Sequence, residues 1–107
     1  MEMTIRTTSE VITLINVFTV APAHQQPLIQ LLQEGTETLM ATMPGYVAAS
    51  AHKSKDGRRV INYSQWRSPQ DIDAMRQHPA VGLYMQRVAA LATFEAIACD
   101  VSYVHHG

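Results

Sequence analysis

The stretch VINYSQWRS, residues 60–68, has the composition of a β-strand that runs directly into a helix. Successive side chains of a strand point to opposite faces, so Asn62 and Trp66 share one face. Ser68 followed by Pro69 is a common helix start, because serine caps free N–H groups and proline suits the first turn. The sequence therefore predicts a strand that carries an amide and an indole on the same face.

The regions on either side alternate between strand and helix patterns. Segments rich in β-branched residues or alternating in polarity predict strands, and apolar residues at helical spacing predict helices. The predicted strands cover residues 11–20, 46–53, 58–67 and 95–105, and the predicted helices cover residues 23–42, 68–77 and 80–92. The resulting β-α-β-β-α-β order, with the second helical region broken at His78-Pro79, is typical of a ferredoxin-like α+β fold with an antiparallel sheet.

Length and composition exclude several functional classes. The chain of 107 residues is 47% hydrophobic and 16% charged, which favours one domain over residues 1–107 with a core at about 11–104. Eight Lys and Arg against nine Asp and Glu, without a basic run, argue against nucleic-acid binding. No apolar run is long enough for a signal core or a membrane span, so a soluble, cytoplasmic setting is expected.

Cysteine and histidine are too scattered to predict a metal site. Cys99 is the single cysteine and is expected to act as a small buried hydrophobe. His24 and His78 lie at predicted helix ends and are expected to serve local turns. His105 and His106 are adjacent in a predicted strand and point to opposite faces, which argues against a shared ion. With no glycine-rich phosphate loop either, we expect no cofactor.

Both faces of the predicted sheet are apolar. Ile15 and Val17 share one face of the first strand, and Ile61 and Tyr63 share one face of the third. Helices cover one face of such a sheet, so a second copy is the most economical cover for the other in a short chain. We therefore expect a homodimer through the face that bears these four side chains.

The helix-facing side of the sheet predicts a pocket. Asn16 lies among apolar residues on that side of the first strand, and Asn62 and Trp66 are assigned to the same side. A buried amide without a partner costs about 1–3 kcal/mol, so these amides should bond to each other, to water or to a ligand. The small residues Ala48 and Ser50 would leave space beside them. The alternative is that both amides satisfy backbone groups while Trp66 fills the core.

Several segments resemble the antibiotic biosynthesis monooxygenase family. They are INVFTV at 15–20, MPGYVAAS at 43–50, the Lys55-Asp56-Gly57 turn, and VINYSQWRS followed by a capped helix. The resemblance covers about residues 11–104 and implies a small dimeric α+β barrel. It further implies oxygenation of a small aromatic substrate, a polycyclic phenol such as an anthrone, to a quinone with O2 and without metal, flavin or haem.

The residues tied to activity in that family match Asn16, Asn62 and Trp66. A dihydroxyaromatic becomes a strong one-electron donor to oxygen once it has lost a proton. The two amides would hold the oxyanion, and each well-placed donor contributes about 3 kcal/mol. Trp66 would stack on the substrate ring or donate its indole N–H to an oxygen.

One departure from the family pattern concerns the proton. Some anthrone-oxidising relatives carry a tyrosine in the first turn of the next helix, where this chain has Ile72. His52, on the predicted pocket side of the second strand, and Tyr84, on a later helix, are the substitute candidates. With Phe18 they form the predicted substrate-binding set. The alternative for His52 is a solvent-facing position near the strand end.

Other activities remain open at this point. Haem-degrading relatives share the fold, but their tryptophan and haem-binding histidine fall near Met75 and Met85 of this chain, which disfavours that activity. A quinol monooxygenase acting on smaller monocyclic substrates would use the same chemistry. A dimeric small-molecule binding module without catalysis would retain the pocket and consume no oxygen.

Overall fold

The computed structural model describes residues 11–107, which form a four-stranded antiparallel sheet with helices on one face. The elements are β1 (Ile12–Val20), α1 (Pro22–Thr38), a 3-10 turn (Met40–Thr42), β2 (Tyr46–Lys53), β3 (Arg59–Trp66), α2 (Pro69–Gln77), α3 (Pro79–Ala89) and β4 (Ala92–Cys99). The strand order is β2-β3-β1-β4, so β1 and β3 form the centre of the sheet. The predicted ferredoxin-like α+β class is confirmed.

Local sequence signals account for the tight connections. Gly57 adopts φ of 79° in the turn between β2 and β3, a conformation that favours glycine. Ser68 caps α2 by accepting a hydrogen bond from the backbone N–H of Asp71. Gln25 in the first turn of α1 donates from Nε2 to the carbonyls of Ser54 and Arg59, each at 3.0 Å, and so ties α1 to the hairpin.

The predicted last strand is wrong in position. It was expected at residues 95–105, but β4 spans Ala92–Cys99. The final pair of its ladder with β1 joins Thr13 to Cys99, and β1 itself begins one residue earlier. Strand pairing cannot extend beyond its partner, so within residues 11–107 the apolar pattern after Cys99 has no strand to pair with. The first helix also ends earlier than expected, at Thr38, and a 3-10 turn replaces its last residues.

A bulge in β2 reverses the expected faces of that strand. Tyr46 pairs with Trp66, and after the register shift Ala51 pairs with Asn62 while His52 pairs with Ile61. One additional residue changes the side to which all later side chains point. The expectation that Ala48, Ser50 and His52 face the helices is therefore wrong, and Ala49 and Ala51 take that side instead.

The core between sheet and helices consists of two clusters. The first cluster contains Phe18, Val20, Leu28, Leu31, Leu32, Val60, Tyr84 and Val88. The second cluster contains Leu14, Trp66, Ile72, Met75 and Val81. Burying a large apolar side chain contributes about 1.5–3 kcal/mol, so these clusters supply much of the stability of the fold. They lie at opposite ends of the sheet along the strand direction.

The face of the sheet away from the helices is apolar at its centre. Ile15 pairs directly with Tyr63 and Val17 with Ile61, so the four residues share one face as predicted. Ile97 of β4 joins them, and Ile61 and Ile97 are each 41% exposed. The predicted homodimer through this face stays a prediction.

No helix within residues 11–107 has the length and apolar character needed to cross a membrane. The cytoplasmic setting stays a prediction.

Candidate functional site

Two asparagines lie side by side at the centre of the sheet. Asn16 of β1 pairs directly with Asn62 of β3, and both side chains are on the helix-facing side, half-buried. Within the described residues neither amide makes a hydrogen bond to another protein group. Neither amide carries a fully buried atom without a partner, because every such atom in the described chain is satisfied. The pair therefore presents accessible donors and acceptors to the space above the sheet.

Small residues flank this pair on both sides. Ala51 of β2 lies opposite Asn62, and Ala96 of β4 lies opposite Asn16. We call these four residues, in sheet order Ala51, Asn62, Asn16 and Ala96, the amide row. Both alanines are exposed, since their methyl groups do not reach the helices. The amide row separates the two core clusters, one containing Phe18 and the other Leu14, and forms a depression between them.

A groove of about 440 Å³ opens over one half of the amide row, between α1 and the β2–β3 pair. Its lining consists of Ile29, Leu32, Gln33, Thr36 and Glu37 of α1 and Ala49, Ser50, Ala51 and Asn62 of the sheet. We call it the α1 groove. Its volume falls in the range of about 300–1,000 Å³ that is usual for small-molecule sites, and its lining combines four apolar residues with five polar or charged ones.

Trp66 is placed differently from the amides. It shares their face of the sheet, as predicted, but it is 2% exposed and packs in the second core cluster. Its Nε1 donates to the Ser64 hydroxyl at 3.1 Å, and that hydroxyl donates to the Leu14 carbonyl at 3.3 Å. The ring of Tyr46 meets the indole edge-on, with centroids 5.7 Å apart. Trp66 is not part of the α1 groove lining. It lies four positions after Asn62 on β3, a distance of about 13 Å along the strand.

Phe18 and Tyr84 are both core residues of the first cluster. Phe18 is 1% exposed, and its ring lies 5.4 Å from that of Phe94, which is 43% exposed on the edge strand. Tyr84 is 8% exposed and packs so closely on α1 that a Cβ at Gly35 would overlap its ring. Burial raises the pKa of Tyr84 to about 12, so its phenol stays protonated at neutral pH. Neither residue lines the α1 groove.

His52 lies on the face of the sheet opposite the amide row. Its Nε2 is 2.9 Å from the Ser50 hydroxyl, and the imidazole is exposed. The prediction that His52 faces the helices is wrong, because the β2 bulge turns its side chain to the other face. A substrate-binding role for His52 stays a prediction, and the structure places it away from the asparagines.

Sequence reasoning missed two residues that the structure places near the amides. Glu37 was not considered because α1 was treated only as a source of apolar contacts, yet it lines the α1 groove with Asn62. Phe94 was assigned outside the last strand, yet it pairs with Phe18 two residues from Ala96. The short connection after α3 is the signal that would have placed Phe94 in β4.

No group of three or more His, Cys, Asp or Glu side chains suited to a metal ion occurs within the described range. Cys99 is a free thiol and is partly exposed, which differs from the buried position expected for it. The polar residues that line the α1 groove carry amides, hydroxyls and one carboxylate.

The sequence and the fold of this chain match a known family. Residues 11–87 match the model of the antibiotic biosynthesis monooxygenase family, and the chain belongs to that family. It is 39% identical over 100 residues to tetracenomycin-F1 monooxygenase of Streptomyces glaucescens, a match that covers 94% of this chain and 89% of the relative. The chain is therefore a monooxygenase of this family.

Solved structures share the fold. SnoaB, a cofactor-independent oxygenase from Streptomyces nogalater, is 21% identical, with a TM-score of 0.76 over 90% of this chain and 97% of SnoaB. A monooxygenase from the gene ActVA-Orf6 of Streptomyces coelicolor, solved with nanaomycin D, is 24% identical, with a TM-score of 0.81 over 90% of this chain and 91% of that one. The predicted family, fold class and monooxygenase activity are confirmed, and one structural relative is itself described as cofactor-independent.

Proposed function

We propose that this protein oxidises an electron-rich polycyclic phenol, such as an anthrone or a hydroquinone, to a quinone with O2 and without a cofactor. The observation that carries the proposal is the pair Asn16 and Asn62, whose accessible amides make no hydrogen bond within the described chain. The relative that is 39% identical is a tetracenomycin-F1 monooxygenase, and the α1 groove has the volume for a small aromatic molecule.

The reaction needs little from the protein. An anthrone carries a CH2 group between two aromatic rings, and loss of one proton gives an anion whose charge is delocalised onto the carbonyl oxygen opposite that group. That anion gives an electron to O2, and recombination yields a peroxide that becomes the quinone with loss of water. The substrate itself supplies all the electrons, so no external reductant is required.

The amides act where negative charge develops. An amide N–H that meets the developing oxyanion lowers the barrier, because it is already oriented and the site is partly shielded from water. Asn62 lies in the lining of the α1 groove, and Asn16 lies beside it on the neighbouring strand. We propose that both donate to the same substrate oxygen. Trp66, whose Nε1 donates to the Ser64 hydroxyl, packs in the second core cluster next to the amide row and has a structural part in this proposal.

Aerobic turnover tests this function directly. Protein treated with a chelator and checked for residual metal is supplied with a panel of anthrones and hydroquinones, and quinone absorbance is followed together with oxygen uptake. We expect one O2 consumed per quinone formed from an anthrone. Tight binding of every compound without oxygen uptake would instead identify a non-catalytic binding module. Activity lost on chelation and restored by one metal would refute cofactor independence.

We propose in addition that two copies associate through the open sheet face. The support is its apolar centre, where Val17 and Ile61 pair and Ile61 is 41% exposed. Sedimentation should give a dimer of the 11.9 kDa chain, and Ile61→Asp should shift it towards monomer. Leu83→Asp is the matched control, since Leu83 is 65% exposed on α3, away from the sheet. A parent protein that sediments as a monomer contradicts the proposal.

A further inference from the structure

The proton that the substrate must lose has no assigned acceptor. The helix position at which some relatives carry a tyrosine holds Ile72, which is buried in the second core cluster. Tyr84 is protonated and core-packed, with its pKa raised to about 12, and His52 lies on the other face of the sheet. None of these three residues lies in the α1 groove beside Asn62.

One ionisable side chain does line the α1 groove. Among the described lining residues, Glu37 is the only one that carries an acid or base. Its Oε1 accepts a hydrogen bond of 3.2 Å from Nε2 of Gln33, one turn earlier on α1, and both side chains are exposed at the rim of the groove. Asn62 lies across the same groove on β3. A carboxylate and an oxyanion-binding amide thus border one small-molecule space.

We propose that Glu37 is the general base that removes the substrate proton and the acid that returns it. The proposal rests on the proposed function and names the proton acceptor of that reaction. A positioned carboxylate is suited to this task, since general acid–base catalysis contributes about 10²–10⁴-fold when the group reaches the transferred proton.

The steps balance without an additional reagent. A C–H bond of the anthrone CH2 breaks, its electron pair stays on the substrate, and an O–H bond forms on Glu37. The anion transfers one electron to O2, and the radical pair joins through a new C–O bond to give a peroxide anion. That anion takes the proton back from Glu37 to become a hydroperoxide. The second C–H bond then loses its proton, its electron pair forms the C=O of the quinone, and the O–O bond breaks. The terminal oxygen leaves as water with that proton and the hydroperoxide hydrogen.

Within residues 11–107, charged side chains near the groove come from β2, α1 and α3. Lys53 of β2 is on the helix-facing side but beyond Ala51 at the strand end, and β3 contributes the neutral Asn62 to the groove. Glu34, three residues before Glu37 and therefore its neighbour on the surface of α1, pairs with Arg87 of α3 at 3.6 Å. The 3-10 turn Met40–Thr42 carries no charged side chain.

Glu37→Gln tests the assignment, with Glu34→Gln as the matched control on the same helix. Glu34 is exposed and lines a different surface groove with Arg87. With an anthrone that the parent oxidises, we expect Glu37→Gln to lower kcat/KM about 100-fold, and Glu34→Gln to change it less than about twofold. The fall in rate towards acidic pH, which reflects protonation of the base, should disappear in Glu37→Gln and persist in Glu34→Gln.

Two further measurements separate a chemical role from a structural one. Formate added to Glu37→Ala should restore part of the rate, because the open groove admits a small carboxylate. Deuterium in the substrate CH2 should slow Glu37→Gln more than the parent, since proton removal becomes the slowest step.

The outcomes distinguish this proposal from the proposed function. If the parent oxidises an anthrone and Glu37→Gln keeps its rate and pH profile, Glu37 is not the base and the monooxygenase proposal stands. If Glu37→Gln loses activity but formate does not rescue Glu37→Ala and the pH profile of the residual rate is unchanged, the carboxylate is structural. If the parent oxidises no compound of the panel, the proposed function fails, and the role of Glu37 fails with it.

Discussion

Asn62 of the amide row and Trp66 lie on the same face of one strand, β3, yet their surroundings are opposite in character. Asn62 is half-buried, borders a groove and makes no hydrogen bond within the described residues. Trp66 is 2% exposed, donates to Ser64 and packs against α2 and α3. The difference comes from what covers each position. Residues of α2 and α3 pack onto Trp66, whereas exposed alanines flank the two amides. A shared face therefore does not imply a shared role.

Removing the indole should have the largest effect on stability. Trp66→Ala leaves a cavity in the second core cluster, and such changes cost about 3–5 kcal/mol. Trp66→Phe keeps much of the packing and should cost clearly less. Thermal and urea unfolding of both variants give the free energies, and activity should fall only as the folded fraction falls. A Trp66→Phe variant with full stability but no activity would give Trp66 a direct part in the chemistry.

Removing one amide should affect turnover and leave stability almost unchanged. We expect Asn62→Ala to lower kcat about 10²–10³-fold, the usual effect of deleting one oxyanion donor. Substrate affinity should change far less, because the interaction strengthens only as charge develops. Kinetics and melting points are measured on the same preparations. If Asn62→Ala keeps the melting point and the full rate of the parent, the two regions do not differ in function as argued.

Ser64 connects the two regions through the hydrogen bond to the indole. Ser64→Ala leaves the Trp66 N–H buried without its acceptor, which should cost about 1–3 kcal/mol of unfolding free energy. Catalysis per folded molecule should persist, since Ser64 is buried and does not line the α1 groove. A loss of turnover at unchanged stability would show that the two regions are coupled. Ser54→Ala, in the exposed hairpin turn, is a control for the serine-to-alanine change.

Tyr84 should produce the smallest effect, and only at alkaline pH. Its folded-state pKa is raised from 10.0 to about 12 by burial, so the unfolded chain releases this proton first as the pH rises. The contribution of Tyr84 to stability is therefore full below pH 10 and is lost as the pH rises towards about 12. Between these values the melting temperature of Tyr84→Phe should fall less steeply than that of the parent. Tyr103→Phe, at a residue 77% exposed, should follow the parent.

The sequence predicted much of the fold because local signals and period-two alternation are strong in this chain. The span of β2 matches the prediction, β1 and β3 match it within one residue at each end, and the Ser68 cap starts α2 as expected. The shared helix-facing side of Asn16 and Asn62 was also predicted, because both lie mid-strand among residues of the apolar core, whereas their direct pairing is a finding of the structure. These features depend on neighbouring residues or on one alternation pattern, and a sequence displays both.

Three features of the fold depend on tertiary structure, and the alternation of side chains along a strand does not predict them. The bulge in β2 moved His52 to the other face, because one unpaired residue reverses every later side chain. The length of β1 fixed the end of β4 at Cys99, against the apolar pattern that continues beyond it. The placement of α1 over β2 and β3 brought Glu37 to the same groove as Asn62, from residues far apart in the chain. The accessibility of the two amides and the burial of the indole depend on where the helices pack on the sheet, and that position is determined by contacts over the whole chain.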